Sequence, residues 1–127
     1  MEGIPIRLPK STEGDDDVDT VVQPDIFIVS DLGKVDARGL CGAPDWLAEV
    51  LSPSTARHDR NTKLPAYERA GVREVWLINP MDCTVSIYRL EAGCYGGATV
   101  LELKGRTPLT AVDGVSIDWE RVLAKIA

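Results

Sequence analysis

Histidine and cysteine, which supply the ligands of most zinc sites, are scarce in this chain of 127 residues. There is one histidine, His58, and the three cysteines, Cys41, Cys83 and Cys94, form no Cys-x-x-Cys pair. This scarcity argues against a zinc site. The odd number of cysteines argues against a disulfide framework and favours a reducing cytoplasm.

Several other patterns are missing. No run of 18 apolar residues exists, which excludes a transmembrane helix. The N-terminal sequence MEGIPIRLPK lacks the apolar core of a signal peptide. No Gly-x-x-x-x-Gly-Lys-Ser/Thr or Gly-x-Ser-x-Gly motif occurs, which excludes a P-loop and a serine nucleophile elbow. The length is that of one domain, and we expect residues 1–127 to form it.

The net charge is −6, which at first argues against nucleic acid as a partner. Residues 13–19, however, hold five acids in seven positions, and the rest of the chain has 14 bases against 15 acids. We interpret the acidic run as a solvated loop on a nearly neutral domain. Charge alone therefore neither requires nor excludes a phosphate-bearing substrate.

The hydrophobic pattern predicts strands interleaved with one main helix, which is typical of a mixed α/β or α+β domain. Strands are predicted at residues 24–29, 46–51, 75–78, 85–90 and 100–103, after a short extended stretch at 5–8. Residues 31–45 are predicted to be a loop, 56–70 the main helix, and 119–126 a last helix capped by Asp118. Pro65 lacks a backbone donor, so we expect a kink there or a helix that begins near Asn61.

Two carboxylates stand at unusual places in these strands. Asp25 follows a proline at the start of one strand, a position that projects its carboxylate from the strand end. The alternative to a functional role is that Asp25 simply stabilises a turn or caps the strand. Glu49 lies in a strand that is apolar on both faces, so it faces a cavity or an ion, or pairs with an arginine. Together with the Val50 carbonyl, the two acids would form a hard oxygen cluster suited to magnesium beside a phosphodiester. Such a cation relieves the repulsion between the acids, polarises the phosphoryl oxygen and generates the attacking hydroxide.

Metal-dependent nucleases usually place a lysine two residues after such a glutamate, but here that position is Leu51. Lys63 can supply the missing charge, because it shares one helix face with Asp59 and Tyr67 at spacings of four residues. The alternative is a solvated lysine paired with Asp59. Bases outnumber acids by three over residues 57–73. This excess of positive charge either contacts a phosphate backbone or belongs to a solvated helix face.

Three segments carry a resemblance to a known family: TVVQPDIFIVSD, GAPDWLAEVLSPSTARHDRNTK and YERAGVREVWLINP. They resemble the Uma family of "putative restriction endonucleases", a domain of unknown function within the PD-(D/E)XK nuclease superfamily. The resemblance runs from about Ile6 to Leu90. It implies a restriction-endonuclease-like mixed sheet with flanking helices. The family's acidic pair falls on Asp25 and Glu49, and a lysine that has migrated to the next helix falls on Lys63.

The resulting hypothesis is a magnesium-dependent endonuclease that hydrolyses DNA, with Mn²⁺ able to substitute. Asp25, Glu49 and the Val50 carbonyl are the predicted metal ligands, and Lys63 is the predicted catalytic cation. The alternative is a non-catalytic structural or interaction module that keeps the nuclease-like core. Family members usually carry a further N-terminal region that we expect to be absent here. Its absence would expose apolar surface near residues 25–29, and we therefore expect a cytoplasmic homodimer.

Overall fold

The computed structural model describes residues 5–8, 21–22, 24–37 and 39–126, so the acidic run at 13–19 lies outside the described residues. The strands are β1 (Ile6–Arg7), β2 (Val21–Val22), β3 (Ile26–Ile28), β4 (Val35–Asp36), β5 (Gly39–Cys41), β6 (Trp46–Val50), β7 (Glu74–Asn79), β8 (Thr84–Arg89), β9 (Thr99–Glu102), β10 (Arg106–Pro108) and β11 (Ser116–Asp118). The helical segments are a 3₁₀ helix (Leu32–Lys34), α1 (Ala56–His58), a π turn (Asp59–Lys63), α2 (Leu64–Ala70) and α3 (Trp119–Ile126).

A five-stranded mixed sheet in the order β3-β6-β7-β8-β9 forms the centre of the fold. β6 and β7 are parallel, and the other neighbouring pairs are antiparallel. Side chains alternate between the two faces of each strand, so Leu47 points to one face and Trp46 and Ala48 to the other. Both faces are covered, which explains why β6 and β7 are mostly apolar. The fold is a mixed α+β domain, as the sequence predicts.

The helix-side core is the apolar cluster on the face covered by α1, α2 and a small sheet of order β2-β1-β5-β4. Its buried members include Ile6, Leu40, Leu47, Tyr67 and Leu77. The cluster on the opposite face is packed by β10, β11 and α3. There Trp76 meets Trp46 edge-on at 5.4 Å and lies 6.0 Å from Trp119. All three tryptophans are buried and form the centre of this cluster.

The helical segment after β6 explains how the chain accommodates Pro65. An α-helix would need a donor from Pro65 to Asn61, and the proline ring would collide with that carbonyl. The chain instead takes a π turn, in which the Leu64 N–H bonds to the Asp59 carbonyl five residues earlier. The helical segment begins at Ala56, so the alternative start near Asn61 is wrong.

The predicted helix boundaries agree with the structure. Gly71 ends α2 in the left-handed conformation, with φ 85°, as its position predicts. Asp118 Oδ1 accepts the Glu120 N–H at 3.2 Å, which is the predicted cap of α3. Among the described residues, no helix is long and apolar enough to cross a membrane.

Two regions differ from the sequence-based expectation. Residues 31–45, predicted as a loop, contain the 3₁₀ helix and the short strands β4 and β5. The hairpin of β10 and β11 was not predicted at all. These strands are two or three residues long, too short to show a period of two in the sequence.

Candidate active site

The pairing of β3 with β6 brings the two predicted acids to the same end of the central sheet. The antiparallel register aligns Ile26 with Ala48 and Phe27 with Leu47. One further step in that register sets Asp25 opposite Glu49. Directly opposed residues of an antiparallel pair project to the same face, which here is the face of Phe27, Leu47 and the helix-side core.

Asp25 sits at the rim of this region and is exposed. Its Oδ2 accepts the backbone N–H of Val50 at 2.7 Å. The carboxylate therefore ties the residue before β3 to the last residue of β6. Val50 is also the residue whose carbonyl the sequence suggests as the third metal ligand.

Glu49 is the buried acid, with 3% of its surface exposed. The Tyr67 hydroxyl donates to Glu49 Oε1 at 2.7 Å, and Lys63 Nζ donates to Oε2 at 3.3 Å. Its partners are thus a tyrosine and a lysine, not the arginine considered as an alternative. Burial raises the pKa of Glu49; the contacts with Tyr67 and Lys63 oppose this rise, and the negative charge of Asp59 adds to it.

Lys63, the last residue of the π turn, lies between two carboxylates. Its Nζ is 3.3 Å from Glu49 Oε2 and 3.2 Å from Asp59 Oδ1, and 21% of its side chain is exposed. Burial would lower the pKa of Lys63, but the charges of Glu49 and Asp59 outweigh it and raise this pKa. Lys63 is therefore an ammonium at neutral pH. It can act as a positive charge and hydrogen-bond donor, not as a base.

Tyr67 shows that the acids converge on one region. Burial raises the pKa of its hydroxyl, and the charges of Glu49, Asp59 and Asp25 raise it further. The predicted common helix face of Asp59, Lys63 and Tyr67 is confirmed by their contacts. Sequence reasoning placed Tyr67 on this face but missed its hydrogen bond to Glu49. The spacing of four residues from Lys63 was the available signal.

The donor set fits a hard cation better than zinc. Asp25 and Glu49 offer carboxylate oxygens on one face of the sheet. Within the described part of the chain, no group of three or more His, Cys, Asp or Glu side chains could hold one metal ion. Mg²⁺ is commonly held by one or two carboxylates, with waters and substrate phosphates completing the shell, so two acids suffice for it. A closed structural zinc site needs four protein ligands.

The remaining candidates are peripheral to this cluster. His58 is exposed on α1. Arg57, Arg60 and Arg69 are exposed on the same helical segment as Lys63. Arg73 instead lies 3.1 Å from Asp45 in an ion pair away from these acids. The basic excess over 57–73 is thus partly engaged in tertiary contacts.

Comparison with known proteins gives both a family and a structural neighbour. The family described as "Uma2: Putative restriction endonuclease" matches residues 5–121. The chain is also similar to a solved structure described as a "putative nuclease belonging to DUF820" from Anabaena variabilis. That likeness has a TM-score of 0.66 and 18% identity, covering 100% of this chain and 68% of the other. At this identity the likeness establishes the fold. Among curated proteins, none matches this chain.

Proposed function

This chain belongs to the Uma2 family of "putative restriction endonucleases", and on that premise we propose that it is a magnesium-dependent endonuclease that hydrolyses DNA phosphodiester bonds. The observation that carries the proposal is the contact of Lys63 Nζ with buried Glu49 at 3.3 Å, on the sheet face shared with Asp25. An acid pair and an ammonium at one end of a sheet are the groups that metal-assisted phosphodiester hydrolysis needs.

In this proposal Asp25, Glu49 and the carbonyl of Val50 hold Mg²⁺, for which Mn²⁺ can substitute. A divalent cation bound there supplies Lewis-acid chemistry and an activated water. The charge balance supports such a cation. Glu49 and Asp59 are both buried, Asp25 lies at the rim, and Lys63 is the ammonium that faces the two buried acids. Negative charge is thus in excess, and a divalent cation would neutralise it.

The chain's own side chains have distinct tasks. Lys63 keeps a positive charge beside the place where negative charge develops on the phosphoryl oxygens. Tyr67 fixes the rotamer of Glu49 through the 2.7 Å hydrogen bond, so the acid is oriented before the substrate arrives. Both residues come from one helical segment, which makes that segment the main positioning element of the site.

DNA is the proposed substrate. Arg57, Arg60 and Arg69 are exposed on the helical segment that carries Lys63. Contacts between these side chains and phosphates would hold the DNA backbone without regard to base sequence. Such contacts would offset the repulsion expected from a net charge of −6.

A homodimer is the proposed assembly. β3 lies at one edge of the central sheet, and Ile26, Leu32 and Val35, at and after this strand, are large apolar residues that remain exposed. Apolar surface gathered at a sheet edge favours association with a second copy.

A non-catalytic module is the rival function, and one observation favours it. The described residues contain no three-ligand metal cluster, so metal binding would depend on the two acids and on substrate phosphates. A protein that keeps the fold but has lost the metal would show the same buried contacts.

DNA cleavage separates the two functions. Supercoiled plasmid is incubated with wild type, Glu49→Gln and Asp25→Asn in Mg²⁺, in Mn²⁺ or in EDTA. Asp82→Asn, an exposed acid in the turn between β7 and β8, is the matched control. We expect cleavage by wild type and by the control only with a divalent cation, and none by the two site variants. Absence of cleavage by wild type in both metals would support the module.

A further inference from the structure

Asp59 is a buried acid to which the proposed chemistry gives no task. Only 2% of its surface is exposed, and its Oδ1 has no hydrogen bond of normal geometry. The same oxygen lies 3.2 Å from Lys63 Nζ as an ion pair. Burying an acid in this way is costly, so a specific role is expected.

The contacts of Lys63 indicate what that role is. An ammonium has three N–H groups. One is directed to Glu49 Oε2, and Asp59 Oδ1 lies beside the head group, so the two acids flank the nitrogen. At least one N–H remains for a further partner, consistent with the 21% exposure of the Lys63 side chain. The position of the ammonium thus depends on both acids.

Glu49 and Asp59 would attract Lys63 to different degrees once a cation is bound. If Glu49 donates oxygens to a divalent cation, its charge is shared with that cation and its attraction for Lys63 weakens. Asp59 is not placed to join Asp25 and Glu49 around the same ion, because no three-ligand cluster exists among the residues that the structure describes. The contact between Asp59 and Lys63 would therefore persist.

We propose that Asp59 is the positioning residue for Lys63: its buried carboxylate keeps the ammonium in place beside Glu49 while Glu49 holds the cation. The inference rests on the proposed endonuclease function for its catalytic consequence. The π turn supports it sterically, because this turn contains both Asp59 and Lys63, and Pro65, two residues after its end, prevents a regular α-helix there.

Charge balance separates this role from a structural one. Glu49 and Asp59 are two buried acids facing one ammonium, so removal of the Asp59 charge leaves a neutral pair of Glu49 and Lys63. A purely structural acid would stabilise the fold, and its loss would lower stability. A positioning acid can instead be neutral or costly for the fold and still be needed for turnover.

Kinetics give the first test. Asp59→Asn should lower kcat by about tenfold or more, while the KM for DNA and the Mg²⁺ affinity measured by calorimetry change by less than about threefold. Asp59→Asn combined with Lys63→Ala should be no slower than Lys63→Ala alone. Glu68→Gln, an acid on the same helical segment that accepts the Tyr95 N–H, is the matched control and keeps wild-type kcat. A double variant about tenfold slower than Lys63→Ala would overturn the inference.

Stability gives a second test that does not require activity. Without metal, Asp59→Asn should leave the urea midpoint unchanged or slightly higher when Lys63 is present. In the Lys63→Ala background the same substitution should raise the midpoint clearly, because Asp59 there is a buried charge without its cation. Equal shifts in both backgrounds would overturn the inference. If wild type cleaves no DNA but the shifts differ as expected, the endonuclease proposal fails and the pairing of Asp59 with Lys63 stands.

Discussion

The Tyr67 hydroxyl donates a 2.7 Å hydrogen bond to Glu49 Oε1, and both side chains are buried. This contact joins α2 to β6. It links the orientation of the acid to the helical segment that carries Lys63, 3.3 Å from the other carboxylate oxygen. Each carboxylate oxygen of Glu49 therefore accepts a hydrogen bond from the same helical segment. A shift of that segment would move the acid's partners together.

Removal of the Tyr67 hydroxyl should affect both stability and function. Tyr67→Phe leaves a buried carboxylate oxygen without its donor, so the free energy of unfolding should fall by about 1–3 kcal/mol. Tyr95→Phe is the matched control, because the Tyr95 hydroxyl donates a buried 2.7 Å hydrogen bond to the Val72 carbonyl, away from Glu49. Urea denaturation should show a loss for both variants, whereas DNA cleavage should fall only for Tyr67→Phe. Equal cleavage by the two variants would show that Tyr67 has no role in orienting Glu49.

Loss of the Lys63 ammonium should separate turnover from metal binding. Lys63→Ala should cut kcat by about a hundredfold or more, ~2.7 kcal/mol of transition-state stabilisation. Mg²⁺ affinity should stay nearly intact, because the proposed ligand oxygens remain. Single-turnover cleavage and calorimetry measure the two quantities separately. Wild-type cleavage by this variant would make Lys63 a structural partner of the buried acids and nothing more.

Low pH should destabilise the native state because Asp45 becomes protonated. Its Oδ2 accepts hydrogen bonds from the Ser30 N–H at 2.7 Å and from the Ser30 hydroxyl at 2.8 Å, and its Oδ1 meets Arg73 at 3.1 Å. Burial would raise the pKa of Asp45, but these contacts outweigh it and hold the pKa below the ordinary value of 3.8. The ionised form therefore stabilises the native state. This stabilisation is complete above the unfolded-state pKa and is lost as pH falls through the lower folded-state pKa.

The measurement for Asp45 is the urea midpoint as a function of pH. Wild type should lose stability more steeply than Asp45→Asn between about pH 5 and pH 2. Ser30→Ala removes the hydroxyl contact but keeps the backbone donor, so its slope should lie between the two. Identical slopes for wild type and Asp45→Asn would contradict this assignment.

Self-association should depend on the apolar edge at β3. Sedimentation velocity at high micromolar concentration should show a dimer for wild type and a monomer for Ile26→Lys combined with Leu32→Lys. Val100→Lys changes another exposed apolar residue, on β9 at the opposite edge of the sheet, and should leave the dimer intact. A wild-type monomer would refute the proposed assembly, and a monomer for Val100→Lys alone would place the interface at β9.

The central strands and the helix face of the site were predictable because their signals are local. Apolar runs specify β6 and β7, and the spacing of four residues places Lys63 on the same face as Asp59 and Tyr67. Gly71 ends the helix in a left-handed conformation, which glycine adopts without the steric cost of a side chain. These features follow from residues close together in the sequence.

Other features depend on contacts that the sequence does not display. The position of Asp25 opposite Glu49 follows from the register between β3 and β6, which tertiary packing sets. Pro65 signalled a disturbance of the helix, but the choice of a π turn over a kink was not predictable from the proline alone. The hydroxyl of Tyr67 finds Glu49 only because α2 packs on the face of β6 that carries this acid.

Metal titration of wild type against Glu49→Gln tests the central claim most directly. Calorimetry with Mg²⁺ and with Mn²⁺, each in the presence and absence of a DNA duplex, is followed by cleavage of the same DNA. We predict metal binding and metal-dependent cleavage by wild type, with both strongly weakened in Glu49→Gln because a ligand charge is removed from a hard-cation site. Equal metal affinity and equal cleavage for the two proteins would contradict the assignment of Glu49 as a ligand. Failure of wild type to cleave DNA with either metal would contradict the endonuclease function itself.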